Sequence, residues 1–184
     1  MSVLEDGKGS GKKAAVTSDN RLDVTAKTES RIYYESRDNQ KAFSVYGKSN
    51  FVGITDANIL YMKYTGDVDL HIKEIMFASN SPDAKIEVYF DPTGVSGGTT
   101  VLPLNMNRGS ALTSETTCLN GAADLTGTVT TANEMFDVRL NNSSFNKDFH
   151  SALILSKNTN IFILGSVATA GDKIRVMVYF YEEI

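Results

Sequence analysis

Hydrophobic residues recur at every second position along much of the chain. Ile86, Val88 and Phe90 alternate with Lys85, Glu87 and Tyr89. Phe136, Val138 and Leu140 alternate with Asp137 and Arg139, and Ile174, Val176, Val178 and Phe180 with Arg175, Met177 and Tyr179. Successive side chains of a strand point to opposite faces, so each stretch predicts a half-buried strand. Further strands are predicted over 22–25, 31–35, 42–46, 58–65, 69–78, 99–106, 126–131, 151–156 and 160–165. Several of these are richer in apolar residues, which suits burial on both faces or at an interface. Turn chemistry separates them, as in Thr65-Gly66-Asp67, Asn80-Ser81-Pro82-Asp83, Asp91-Pro92-Thr93-Gly94, Asn120-Gly121 and Ala170-Gly171-Asp172.

No amphipathic helix of about ten residues or more emerges, because β-branched residues dominate the candidate stretches. About ten short strands with frequent turns predict an all-β fold, an antiparallel β-sandwich that is jelly-roll-like. The absence of an internal repeat argues against a propeller or β-helix. Residues 30–184 are predicted to form the β-sandwich domain. Residues 1–29 are predicted to form a flexible N-terminal arm, whose opening MSVLEDGKGSGKKAAVTSDN has too few large apolar residues to fold alone. Such an arm is either a plain tail or a tether that orders on a partner. The 91–134 stretch is poor in large apolar residues and is expected to include excursions outside the core.

Composition narrows the function classes. The 184 residues suit one domain with a tail. With 41% hydrophobic residues the chain is not of the disordered class. Asn, Ser and Thr supply about a quarter of it, which fits strands and turns better than helices. No apolar run approaches the roughly 18 residues of a membrane helix. A net charge of −4 lacks the concentrated basic surface of a nucleic-acid binder, so neither nucleic acid nor membrane is expected as a partner. Cys118 is the only cysteine, so no internal disulfide can form, and a lone thiol suits assembly in a reducing cytoplasm. The N-terminus lacks the apolar core of a signal peptide, which argues against Sec export.

Candidate motifs fail on context. Gly7-Lys8-Gly9-Ser10-Gly11-Lys12-Lys13 resembles a phosphate loop, but Asp6 stands at the first glycine position and Lys13 at the hydroxyl position. Gly94-Val95-Ser96-Gly97-Gly98 matches G-x-S-x-G, yet a second strand, not a helix, is predicted after it. A Gly-rich hairpin loop is the expected structure there. A Ser-His-Asp triad would need His71 or His150, and neither stands in a recognisable context. Asp67, Asp69 and His71 could share one strand face as metal ligands, but Asp67 belongs to the Gly66 turn and no fourth ligand is identifiable. Glu182-Glu183 is expected to be a solvated end. The acidic residues could supply a glycosidase-type carboxylate pair in any fold. Trp is absent, so a sugar platform would have to use some of the eight Tyr, which otherwise serve strand faces and interfaces. No catalytic, cofactor-binding or metal-ligating residue is assigned, no cofactor is expected, and the chain is not expected to be an enzyme.

Arg21-Leu22-Asp23-Val24-Thr25-Ala26-Lys27-Thr28, Ser30-Arg31-Ile32-Tyr33-Tyr34 and Ala42-Phe43-Ser44-Val45 resemble the opening of small virion structural proteins of tailed bacteriophages. Gly97-Gly98-Thr99, Pro103-Leu104-Asn105-Met106-Asn107 and the Ser110 to Gly121 stretch are similar to a later block of the same proteins. The resemblance covers about half the chain and implies a β-sandwich particle protein, a capsid decoration (cement) protein that binds the major capsid protein. It implies a homo-oligomer, with a homotrimer favoured, located in a virion assembled in the host cytoplasm. A tail, head-fibre or adaptor component with a receptor- or carbohydrate-binding role is the alternative it leaves open.

Overall fold

The computed structural model describes residues 3–5, 13–16, 22–23, 31–121 and 124–183. The chain divides into two compact units, Met1–Ser30 and Arg31–Ile184. In the first, β1 (Val3–Glu5), β2 (Lys13–Val16) and β3 (Leu22–Asp23) form a small antiparallel sheet in the order β1-β2-β3. The rest of the predicted arm, including Gly7–Lys12 of the phosphate-loop look-alike, lies outside the described residues.

The second unit opens with a helical turn, α1 (Arg31–Tyr34), that runs into a π-helical turn over Glu35–Asn39. A strand was expected over 31–35. Ile32 is half-buried, Glu35 buried and Tyr34 exposed, so the inward spacing is three, the period of a helix. Gln40, at φ 56°, ends the turn in the left-handed region. The strands then follow in chain order. They are β4 (Ala42–Asn50), β5 (Asp56–Tyr64), β6 (Leu70–Ser79), β7 (Ala84–Phe90), β8 (Thr93–Ser96), β9 (Thr99–Val101) and β10 (Leu104–Asn105). After them come β11 (Thr116–Asn120), β12 (Thr126–Thr128), β13 (Glu134–Leu140), β14 (Ser144–Leu155), β15 (Asn160–Ser166) and β16 (Lys173–Glu182).

Two antiparallel sheets pack face to face as a sandwich. Sheet I has the order β10-β4-β16-β6-β14, and sheet II the order β13-β7-β15-β5-β11-β9. The core between them is the predicted alternating face. Ile174, Val176, Val178 and Phe180 of β16 are all buried, and they meet Ile86 and Val88 of β7 in one continuous cluster. Phe43 stacks on Phe180 with ring centroids 5.7 Å apart.

The 91–134 excursion is where sequence and structure part most. β8 and β12 form a separate two-stranded ribbon. With the loop before β12, it brings Leu125 onto Tyr61 and Phe162, and Val95 and Leu119 join this second cluster. These residues lie on the outer side of sheet II, which explains why β5 and β15 are apolar on both faces. Gly127 makes the approach possible: a Cβ there would stand 2.9 Å from the Phe162 ring. The predicted strand over 99–106 is broken at Leu102-Pro103, because β9 belongs to sheet II and β10 to sheet I. Pro103 has no N–H to continue a ladder, so the chain changes sheet there. The predicted 126–131 strand ends at Thr128, and a 3₁₀ turn follows over Thr131–Asn133. β8 and β11 were not predicted, since their Thr- and Gly-rich segments carry no clear alternation. β14 is longer than the predicted 151–156 and contains a bulge. Its register passes from Asp148 opposite Glu74 to Leu153 opposite Ile72, with His150 and Ser151 at φ 50° and 65°. A bulge on an edge strand interrupts the ladder that another chain would pair with.

Two outcomes follow. Val176→Asp places an unpaired charge at a position 1% exposed, against Gly47 and Phe77 of the flanking strands. Such a charge costs several kcal/mol against a total stability of about 5–15 kcal/mol. The variant is expected to lose its cooperative melt by circular dichroism. Cys118 is fully buried, and burial pushes its thiol up to about 12, so almost no thiolate exists at neutral pH. Ellman's reagent is expected to label it in denaturant and not in the native protein.

Candidate functional site

Among the described residues, those of the candidate motifs are not brought together as a reaction centre. Ser96 lies on β8 with its Oγ 2.9 Å from Thr126 Oγ1, and a strand follows it, so the nucleophile-elbow context is missing. Gly97 and Gly98, at φ 71° and 75°, do not close the expected hairpin. They turn the chain from β8, paired with β12, to β9, paired with β11. His71 donates from Nδ1 to the Ser151 carbonyl at 3.0 Å, and its ring stacks on Tyr181 at 4.8 Å. Its Nε2 is 3.5 Å from Glu183 Oε1. His150 is exposed beside Asp148. Asp67 pairs with Lys157, and Asp69 accepts from Ser156 Oγ. Among the described residues no group of three metal-ligating side chains forms. Of the eight tyrosines, Tyr61, Tyr64, Tyr89 and Tyr181 are buried, the strand-face role expected of them.

Of the C-terminal pair, Glu182 departs from expectation, while Glu183 is partly exposed. Glu182 is only 1% exposed. It closes one end of the sandwich, where its Oε1 accepts from Ser114 Oγ at 2.6 Å and from the Glu115 N–H at 2.9 Å. Burial raises its pKa against those two hydrogen bonds and nearby Lys41. The Tyr64 hydroxyl lies in the same region, where burial and the charges of Glu182 and Glu115 push it up to about 12. Glu182 anchors a loop, and both groups hold their protons more tightly than free side chains.

That loop is the most distinctive surface of the sandwich. Over 102–116 several polar side chains are spent on backbone groups of the loop and of Gln40. Asn105 Nδ2 donates to the Gln40 carbonyl at 2.7 Å and the Leu112 carbonyl at 3.1 Å, while its Oδ1 accepts from the Asn107 N–H at 2.9 Å. The Leu112 N–H donates to Ser110 Oγ at 3.0 Å, the Thr116 N–H to Ser114 Oγ at 3.1 Å, and the Met106 N–H to the Ala42 carbonyl at 2.8 Å. With its amides and hydroxyls turned inward, the loop presents its apolar residues to solvent. Leu102 is 80% exposed, and Leu104, Met106 and Leu112 are exposed as well. Leu102, Leu104 and Leu112 line a groove of about 380 Å³ with Pro103 and Arg108. Four large apolar side chains on one braced loop form the kind of surface that marks an interaction site. Sequence reading missed it, because Leu102-Pro103-Leu104 looks like strand interior and the inward turn of Asn105, Ser110 and Ser114 has no linear signature.

Comparison with protein-family models, with curated proteins and with solved structures gives no match to this chain.

The buried carboxyl gives a pH dependence of defined sign. Its folded pKa is raised above the ordinary 4.5, so the folded state holds this proton more tightly than the unfolded chain. Its stabilising contribution is therefore complete below the unfolded pKa and is lost as pH rises through the folded value. Glu182→Gln keeps an acceptor for Ser114 and Glu115 without the charge. Its melting temperature should match that of the wild type near pH 4 and exceed it near about pH 8. A wild type more stable than the variant at about pH 8 would show that Lys41 outweighs burial.

Proposed function

We propose that this chain is a structural protein of a tailed-bacteriophage virion that decorates the capsid shell, cementing it through non-covalent contacts made in many copies. The observation that carries this reading is the braced 102–116 loop with its exposed Leu102, Leu104, Met106 and Leu112. A cement protein acts by binding the assembled shell better than its free subunits, so its binding energy becomes shell stability by mass action. The loop has the right scale for such a contact. Fully covering one Leu is worth about 1.5–3 kcal/mol, so the loop's apolar side chains together do little more than offset the roughly 4–15 kcal/mol cost of association. A single contact of this kind is weak, and repetition on a lattice of identical sites makes it strong.

The strand order supports the jelly-roll form of the sandwich, an architecture common among capsid domains. β4, β6, β14 and β16 lie in sheet I, and β5, β7, β13 and β15 in sheet II, so the long strands switch sheet at nearly every step. The major capsid protein is the proposed partner. Particles assembled in the host cytoplasm are the proposed setting, in keeping with the buried, reduced Cys118.

The test is attachment to purified tailed-phage shells, read by co-sedimentation and by the heat resistance of the shell. Leu102→Asp with Leu104→Asp should change the melt of the free protein little, because both positions are exposed. It should abolish co-sedimentation and the gain in shell stability. Removing residues 1–20, which takes away β1 and β2, should leave the melt of the sandwich intact and weaken attachment. A wild-type protein that binds no shell, or Leu variants that bind as well as wild type, would overturn the reading.

A further inference from the structure

Charges of opposite net sign gather at the two ends of β16. β16 opens with Lys173 and Arg175, both exposed, and its register sets Arg175 directly opposite Lys48 of β4. Like charges in that position destabilise an antiparallel pair. The described residues do not offset this cost: Lys48, Lys173 and Arg175 make no ion pair among them, and the adjacent Asp172 makes none with these three. On its other side Arg175 faces Ala78, and a hollow of about 260 Å³ opens there. A second hollow of about 350 Å³ lies towards Tyr46 and Asn50, and both are lined by Lys173 and Arg175. Next along the same face, Met177 stands between Tyr46 and Met76, an apolar strip whose outer two members are exposed. Three unpaired cations beside an apolar strip suit a protein surface rich in carboxylates. On a chain of net charge −4 they are too few and too local for a nucleic-acid backbone.

The complement of this surface is on the chain itself. At the other end of β16, about 30 Å away at strand spacing, Asp69 and Glu115 are exposed and Glu183 is partly so. Glu115 adjoins Ser114 and Thr116 in the chain, two of the residues that line the 102–116 groove with Leu112. The first end is thus cationic, and the far end is acidic on balance, with Lys157 paired to Asp67 and His71 beside Glu183.

We infer that the protein associates head to tail with a second copy of itself, the cluster of Lys48, Lys173 and Arg175 receiving Asp69, Glu115 and Glu183 of the next copy. A contact between two different surfaces is heterologous, so it closes into a ring or runs on as a filament, according to the rotation between copies. Carboxylates from the neighbour remove the Arg175–Lys48 repulsion, which gives the contact a driving force that free monomers lack. A homo-oligomer is already implied by the resemblance; the inference adds which two surfaces meet, and it is tested apart from the particle reading, because self-association is read on the free protein and shell attachment by co-sedimentation, so either can fail alone.

Sedimentation velocity on the full chain tests it. Oligomers are expected at about 0.02 M salt and monomers at about 0.5 M, where charges are screened within a few ångströms. Lys173→Glu with Arg175→Glu should weaken association at least tenfold, and so should Asp69→Lys with Glu183→Lys. All four positions are at the surface, and circular dichroism checks that both variants remain folded. Mixing the two variants should restore a hetero-oligomer, because each supplies the native end that the other lacks. Monomers at both salt concentrations would overturn the inference. So would oligomers indifferent to salt and to both reversals, or a mixture that stays monomeric.

Discussion

The structure depends on the burial of one face of β16 between two sheets. Ile174, Val176, Val178 and Phe180 fill the centre of the sandwich, and β16 is hydrogen-bonded to β4 on one side and β6 on the other. Because side chains alternate with period two, burying these four sends Lys173, Arg175, Met177 and Tyr179 to the opposite face. The register that makes the core therefore also makes the outer surface of sheet I, cations and apolar strip included. A slip of one residue would destroy both at once.

The outer faces of the two sheets are treated differently. The ribbon of β8 and β12 and the loop carrying Leu125 cover Tyr61 and Phe162 on sheet II. Among the described residues no equivalent layer covers Tyr46 and Met76 on sheet I. Folding a covering segment costs about 1–2 kcal/mol of backbone entropy per residue, so a layer exists only where it buries enough in return. Here Leu125, Tyr61 and Phe162 supply that return for sheet II. The bare face of sheet I and the exposed leucines of the 102–116 loop are surfaces that an assembly can cover at no folding cost.

Polar burial at the end of the sandwich serves the same purpose. Glu182 ties Ser114 and the Glu115 backbone to the last strand, and Asn105 ties the start of the loop to Gln40. A loop held this way has already lost much of its conformational freedom, so docking it requires little further ordering. The retained cost is a carboxyl kept from water, which appears as a raised pKa.

The linear pattern was sufficient for the all-β class, for the inward faces of β7, β13 and β16, and for an excursion between 91 and 134. Each is a local property, because period two and turn chemistry act over a few neighbouring residues. Flanking context in the sequence also argued against phosphate-loop and nucleophile-elbow chemistry. What it could not supply depended on contacts distant along the chain. The helical turn at 31–35 answers to Ile32 and Glu35 packing inward together. The break at Leu102-Pro103 answers to a change of sheet. Burial of Glu182 depends on Ser114, 68 positions earlier. The cationic cluster joins Lys48 to Arg175 across a strand pair that exists only after folding. Hydrophobic alternation determines which side of a strand is dry. Only the tertiary structure decides which charges and which exposed leucines share a surface, because that is set by strand order and register.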